Sequence, residues 1–495
     1  MAGSRACDAC AARKIRCDRA FPCKRCSTLS IQCTAARPRT KPGPRGPWAA
    51  RRREARKNHG NEAGWQPPST PPGNPEQHSR DAVPATTFEW YLEVFQEQLY
   101  PVWPIVDKDA LLARLRKGHD AEAYMLAAAI SAVTVTQLQL SSHDGHHPVP
   151  FGDGAQMAAE AWRMRASLSY LEHPSISTLL SSLFLHITAA NERELCKAAF
   201  LLREAVTCAQ LLGLHQANNY QHLARETAQL HLRIVWALFV TERGHSTRFD
   251  FPRILHLDPN LPALAADEEN PHILSPFINL CRLFQDFGRA VDGDGSPRTR
   301  ATFADLHARL DALARRHVDE PGNPSDLRRA DYALTQQWMR LVLWKTSMHH
   351  VSLTTTVSNG KEDGPLSLWF PGHVAREVVQ RLDAFPMRIV EFHGLGMEMK
   401  LFEIAFSLAD VLLCLPGQPV PGSLRIGPRH VLGRLVDFLA GFRGGGDRSK
   451  LQLLYNKASG SSAGPLGNLP SLVLLPQPPD WDQHVPEEDD PFEQD

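Results

Sequence analysis

Six of the ten cysteines in this 495-residue chain fall within 27 residues, from Cys7 to Cys33, and they repeat one pattern. Cys7, Cys10 and Cys17 read C-x2-C-x6-C, and Cys23, Cys26 and Cys33 repeat that spacing sixteen residues on. Two close thiolates from a C-x2-C turn grip one Zn²⁺, and a third arrives from the far end of a short helix. Each tetrahedral Zn²⁺ takes four ligands, so six thiolates serve two ions only if two sulfurs bridge both metals. The repeat singles out Cys7 and Cys23, the first cysteine of each half, as that pair. A disulfide knot would need an oxidising compartment, and residues 1–14 contain no apolar signal segment that would point to one. A mononuclear finger would leave two thiols idle and would not explain the duplication. The expected cofactor is therefore two Zn²⁺, with Cys7, Cys10, Cys17, Cys23, Cys26 and Cys33 as metal ligands. Cys196, Cys208, Cys281 and Cys414 stand singly among apolar residues and read as small buried hydrophobes.

The formal charge of zero hides a partition. Residues 1–60 hold 16 basic and 3 acidic groups, a net of +13, while the remaining 435 hold 38 and 51, a net of −13. Such a head suits a polyanion, with nucleic acid as the expected one. Two Zn²⁺ and six thiolates carry a formal −2, which Arg13, Lys14, Arg16, Lys24 and Arg25 offset. No stretch reaches the ~18 apolar residues of a membrane span; residues 125–135 come nearest, so neither a membrane nor a secreted protein is expected.

The run CDACAARKIRCDRAFPCKRC resembles the fungal Zn2Cys6 binuclear-cluster DNA-binding domain, over about 30 residues and with all six ligands present. The resemblance implies a short helix after the second cysteine, its carboxyl end pointing into the DNA major groove. It implies a base-contacting lysine three residues before the third cysteine, which is Lys14, donating to guanine O6/N7 in CGG-type half-sites. Arg13 and Arg16 would then sit on phosphates, with Lys24 and Arg25 in the same basic surface. Pro22 matches the proline that turns the chain between the halves. Many relatives dimerise through a following coiled coil. Residues 34–86 carry no sustained heptads, so a homodimer is allowed but its half-site spacing is not written there.

Four regions follow: the zinc domain at 1–36, a basic proline-rich linker at 37–86, an all-α regulatory domain at 87–445, and a flexible acidic tail at 446–495. In the linker, Arg51, Arg52, Arg53, Arg56 and Lys57 fit phosphate contacts, a nuclear localisation signal or a plain solvated segment. In the third region Phe88, Tyr91, Leu92, Phe95 and Leu99 recur at helical spacing. Leu195 to Leu212 reads as another helix with Gly213 just past its end. Further amphipathic runs cover 230–243, 374–385, 398–413 and 430–442. Strand-type alternation is scarce, which makes a large all-α body the expected fold class beside the small zinc cluster. AAFLLREAVTCAQLLGLHQ and VWALFVTER resemble the middle homology region of the same transcription factors. VWALFVTER and FHGLGMEMKLFEIAFSLADVL are most similar to the amylolytic, maltose and sucrose-type activators. Glu242 and Arg243 read as a helix-end ion pair, and Trp236 and Phe239 as core.

No catalytic residue is expected. Gly460-Ser461-Ser462-Ala463-Gly464 has nucleophile-elbow spacing but no buried strand before it, and Pro465 follows where a helix should start. His143, His146 and His147 read as surface residues, and His349 and His350 point to different helix faces. The tail places Trp481, Val485 and Phe492 among eight carboxylates between 480 and 495, as an activation segment, an inert tail or a tail folded onto the basic head. The resulting expectation is a nuclear regulator of RNA polymerase II transcription that binds double-stranded DNA. A coactivator or small-molecule effector would act through its helical body. A biosynthetic gene cluster is the first expected target and carbohydrate utilisation genes the alternative. A zinc-dependent protein- or RNA-interaction module is the competing class.

Overall fold

The computed structural model describes residues 6–13, 15–35, 83–140, 153–264, 270–292, 298–318, 326–354, 364–414, 427–445 and 447–458. The chain divides into two units, Met1–Asp81 and Ala82–Asp495, each described here by itself. Lys14, the linker arginines, His143, His146, His147, the Gly460 motif and the acidic segment from 480 onward lie outside the described residues.

The first unit contains two five-residue helices, α1 (Asp8–Ala12) and α2 (Lys24–Thr28), one in each half of the cysteine repeat. The helix expected after the second cysteine instead begins directly after the first, so Cys10 lies inside α1. Cys7 adopts extended backbone and its sulfur accepts from the Cys10 amide, which is what starts the helix.

The second unit is all-α among the described residues. Its helices are α3 (Ala85–Val94), α4 (Lys108–Arg116), α5 (Ala121–Leu138), α6 (Gly154–Ser167), α7 (Ile176–Asn191), α8 (Leu195–Leu211) and α9 (Arg225–Phe249). There follow α10 (Pro271–Asp292), α11 (Arg300–Val318), α12 (Asp326–Met348), α13 (Phe370–Leu382), α14 (Met387–Glu391), α15 (Gly394–Cys414), α16 (Pro428–Gly441) and α17 (Arg448–Ala458). The only β pairing among the described residues is an isolated bridge between Thr354 and Ser367.

Side-chain caps fix several starts. Asp107 accepts from Ala110 and Asp120 from Ala123, while Asp153 with Gln156 and Ser175 with Thr178 close reciprocal capping boxes. Gly213 takes φ +70° just past α8, a backbone that costs glycine little.

α5 packs against α6 and α7, and α7 against α8; α12, α13, α15 and α16 form a second packed group, joined to the first through α9 and α10. α5 is long and apolar enough to cross a membrane, with a mean hydropathy of 1.3 over 18 residues, because alanines and β-branched residues surround it. In this fold 78% of that helix is buried by its neighbours, so it is the central core helix. The all-round apolar surface extends beyond the 125–135 run legible in the sequence.

α9 runs to Phe249, so Glu242 and Arg243 sit inside it rather than at its end. Both are buried and 3.1 Å apart. Glu242 also accepts from the Ile254 amide at 2.8 Å, and Arg243 donates to the Leu255 carbonyl at 3.0 Å. The pair thereby ties the chain after α9 back onto the helix. Trp236 and Phe239 are core residues. Of the four isolated cysteines, Cys208 and Cys281 are buried, whereas Cys196 and Cys414 are exposed, near the start of α8 and at the last residue of α15.

The helical unit does not stop at 445. α17 packs on α15 and α16 and buries Leu454 completely, and Lys457 pairs with Asp410 of α15. The segment expected to begin a flexible tail therefore starts with a docked helix.

Candidate metal centre and nucleic-acid interface

The cysteine repeat folds into two near-identical turns. Cys7 precedes α1 and accepts from the Cys10 amide at 3.5 Å; Cys23 precedes α2 and accepts from the Cys26 amide at 3.4 Å. The third sulfur of each half also receives an amide, Cys17 from Arg19 and Cys33 from Cys23, both at 3.4 Å. Asp18 receives the Ala20 and Lys24 amides and so shapes the loop leading into α2. Asp8 holds Thr34 by its amide at 2.8 Å and its carboxylate at 3.0 Å, closing the unit end to end. Neither aspartate stood out in the sequence, since loop and closure contacts have no periodicity.

Four sulfurs converge in each of two groups. Cys7, Cys10, Cys17 and Cys23 have their sulfur atoms within 4.8 Å of one another, as do Cys7, Cys23, Cys26 and Cys33. Each group is one half's three cysteines plus the first cysteine of the other half. The two sulfurs common to both are Cys7 and Cys23, which lie 3.8 Å apart. Across the halves, Cys7 lies 3.6 Å from Cys26 and Cys10 lies 3.6 Å from Cys23. These separations are far too long for disulfides, whose sulfurs bond at about 2.05 Å. Two sulfurs each about 2.3 Å from one Zn²⁺ at a tetrahedral angle lie about 3.8 Å apart, so the donor set fits the metal.

Cys7, Cys10, Cys23 and Cys26 are buried, while Cys17 and Cys33 are partly open. The Cys10 amide holds the Cys7 thiol below its ordinary value, and the Cys26 amide does the same for Cys23. Burial pushes Cys10 up to about 12 and raises Cys26 likewise. Burial of that kind opposes a bare thiolate, and a bound cation removes the opposition.

Arg13, at the end of α1, together with Arg16, Lys24 and Arg25, is exposed, and none makes an ion pair among the described residues. All four flank the buried sulfurs, leaving their charges available to a polyanion. Ile15, Phe21 and Leu29 are exposed among them.

Residues 5–42 match the fungal Zn(2)-Cys(6) binuclear cluster domain, and residues 91–280 match the fungal specific transcription factor domain. Both domains are present, and the chain is a transcription factor of the fungal Zn2Cys6 class, whose binuclear cluster holds two zinc ions and binds DNA. Several of its relatives are sugar-utilisation regulators by name. It is 28% identical over 418 residues to the probable sucrose utilization protein SUC1 of Candida albicans, covering 82% of this chain and 79% of that one. It is 25% identical to the maltose fermentation regulatory protein MAL13 of Saccharomyces cerevisiae, over 82% and 84% of the two chains. The respiratory transcription factor ZNF1 of the same yeast is also 25% identical over 82% and 84%.

Proposed function

We propose that this protein is a nuclear, sequence-specific regulator of carbohydrate-utilisation genes. Its six clustered cysteines would be the zinc ligands, with Cys7 and Cys23 bridging. The observation that carries the DNA-binding part is the paired four-sulfur geometry flanked by exposed cations that make no ion pair among the described residues. α1 is then the element offered to the major groove. Lys14, two residues past its end, donates to guanine O6/N7 of a CGG-type half-site, while Arg13, Arg16, Lys24 and Arg25 hold phosphates. A homodimer would read two such half-sites. The names of the maltose and sucrose relatives favour carbohydrate genes over the biosynthetic cluster first expected from the sequence.

Deleting the gene and measuring transcripts after transfer from glucose to maltose or sucrose tests the gene set. The expected outcome is failed induction or failed repression of glycoside hydrolase and sugar transporter genes. Unchanged sugar transcripts, with loss of transcripts from an adjacent biosynthetic cluster, would reverse the preference.

A further inference from the structure

The second unit has a half-open cavity of about 230 Å³ between α5, α7, α8, α9, α10, α12 and α15. Its wall is largely apolar, with Trp103, Phe249, Phe277 and Trp338 among its residues. The wall also carries three cations and one carboxylate: Arg248, Arg328, Lys400 and Asp331. Two of those cations are engaged. Arg328 donates to the Val102 carbonyl at 2.6 Å and lies 3.7 Å from Asp331. Lys400 donates to Thr335 at 2.6 Å and lies 3.6 Å from the same carboxylate.

Arg248 differs from both. It is 9% exposed, and among the described residues its side chain makes no hydrogen bond and no ion pair. The carboxylates that influence it at longer range are already taken, Glu398 by Arg193 at 3.0 Å and Glu403 by Lys345 at 2.9 Å. Burial draws the guanidinium down to about 10, which leaves it charged at neutral pH. A buried charge without a partner is costly, and a guanidinium fork matches a carboxylate or phosphate bidentately.

We propose that this cavity binds a small organic anion, with the Arg248 guanidinium holding its carboxylate or phosphate. The volume lies below the range of about 300–1,000 Å³ that holds drug-sized ligands, which favours a small occupant such as one of monosaccharide size. The aromatic wall covers its apolar face. Neutral sugars would leave Arg248 uncompensated and bind more weakly. The site does not depend on which genes the zinc domain selects.

Calorimetric titration of the zinc-loaded full chain tests this with four probes: glucose 6-phosphate, gluconate, glucose and maltose. The expected result is saturable binding of at least one of the two anions and at least tenfold weaker binding of both neutral sugars. Which anion binds distinguishes a phosphate from a carboxylate ligand. Arg248→Met should weaken the anion at least tenfold, as loss of a charge-assisted contact requires. Arg248→Lys keeps the charge but not the fork and should give an intermediate loss, with an unchanged circular dichroism spectrum checking the fold. Should either variant fail to fold, the anion-over-neutral preference of the unmodified protein decides. No response to either anion, equal binding of glucose, or unchanged affinity in folded Arg248→Met would overturn the proposal.

Discussion

Cys7 and Cys23 do two things at once: each starts a short helix by accepting an amide, and each belongs to both four-sulfur groups. Replacing Cys23 by serine should therefore remove zinc from both sites rather than one. Elemental analysis should find well under two ions per chain, and two retained ions would contradict the bridging role. Cys196→Ser, far from either group in sequence and exposed, should keep both. Lys14 makes a separate demand. Lys14→Ala should narrow the preference for a CGG duplex over a scrambled one by about 1–3 kcal/mol, read from competition binding. Equal weakening on both duplexes would reduce it to a phosphate contact. In the helical unit, burial leads the causes that pull His186 down to about 4 and His245 and His307 to about 3. The unfolded chain protonates these groups below about 6.5, and the folded chain does so only near 4 or lower. Their neutral burial thus favours folding at pH 7, and that advantage shrinks as pH falls from 6.5 toward 4. The urea midpoint followed by helical circular dichroism should be lower at pH 5 than at pH 7. A flat profile would contradict these environments.

At the scale of elements, spacing alone located much of what the structure contains. The Leu195–Leu211 helix, the glycine after it and the all-α character are written in 3.6-residue periodicity and one φ-tolerant residue. The helix ends were less legible. α9 continues six residues past Arg243 because Ser246 and Arg248 are buried by tertiary packing, not because their polarity repeats helically. α17 was hidden for a related reason: among its described side chains Leu454 alone is fully buried, so its pattern resembles a polar tail. Leu454→Ala should destabilise the helical unit by about 2–5 kcal/mol in urea unfolding, the usual cost of truncating a buried leucine. An unchanged midpoint would mean that α17 is not part of the core. The clustering of the six cysteines was fully legible, because metal geometry imposes a spacing that no packing alternative imitates. The cavity around Arg248 was not, since its lining residues come from seven helices far apart in sequence.

Across the whole molecule, the zero net charge divides into a +13 head and a −13 remainder. The head carries the two-zinc unit, and its exposed Arg13, Arg16, Lys24 and Arg25 have no internal partners among the described residues. Each phosphate they neutralise should add about 0.9 to the slope of log affinity against log salt concentration, a contribution blind to sequence. On the proposed function, base reading would come on top of that and would make the protein a regulator rather than a general polyanion binder. The most direct measurement is a mobility-shift competition at physiological salt, with zinc-loaded full-length protein on a CGG-containing duplex challenged by excess scrambled duplex. Sequence-specific reading is expected to leave the complex intact until competitor exceeds target by about a thousandfold or more. Displacement by an equal amount of scrambled DNA would contradict it and leave the zinc unit as a non-specific or protein-binding module.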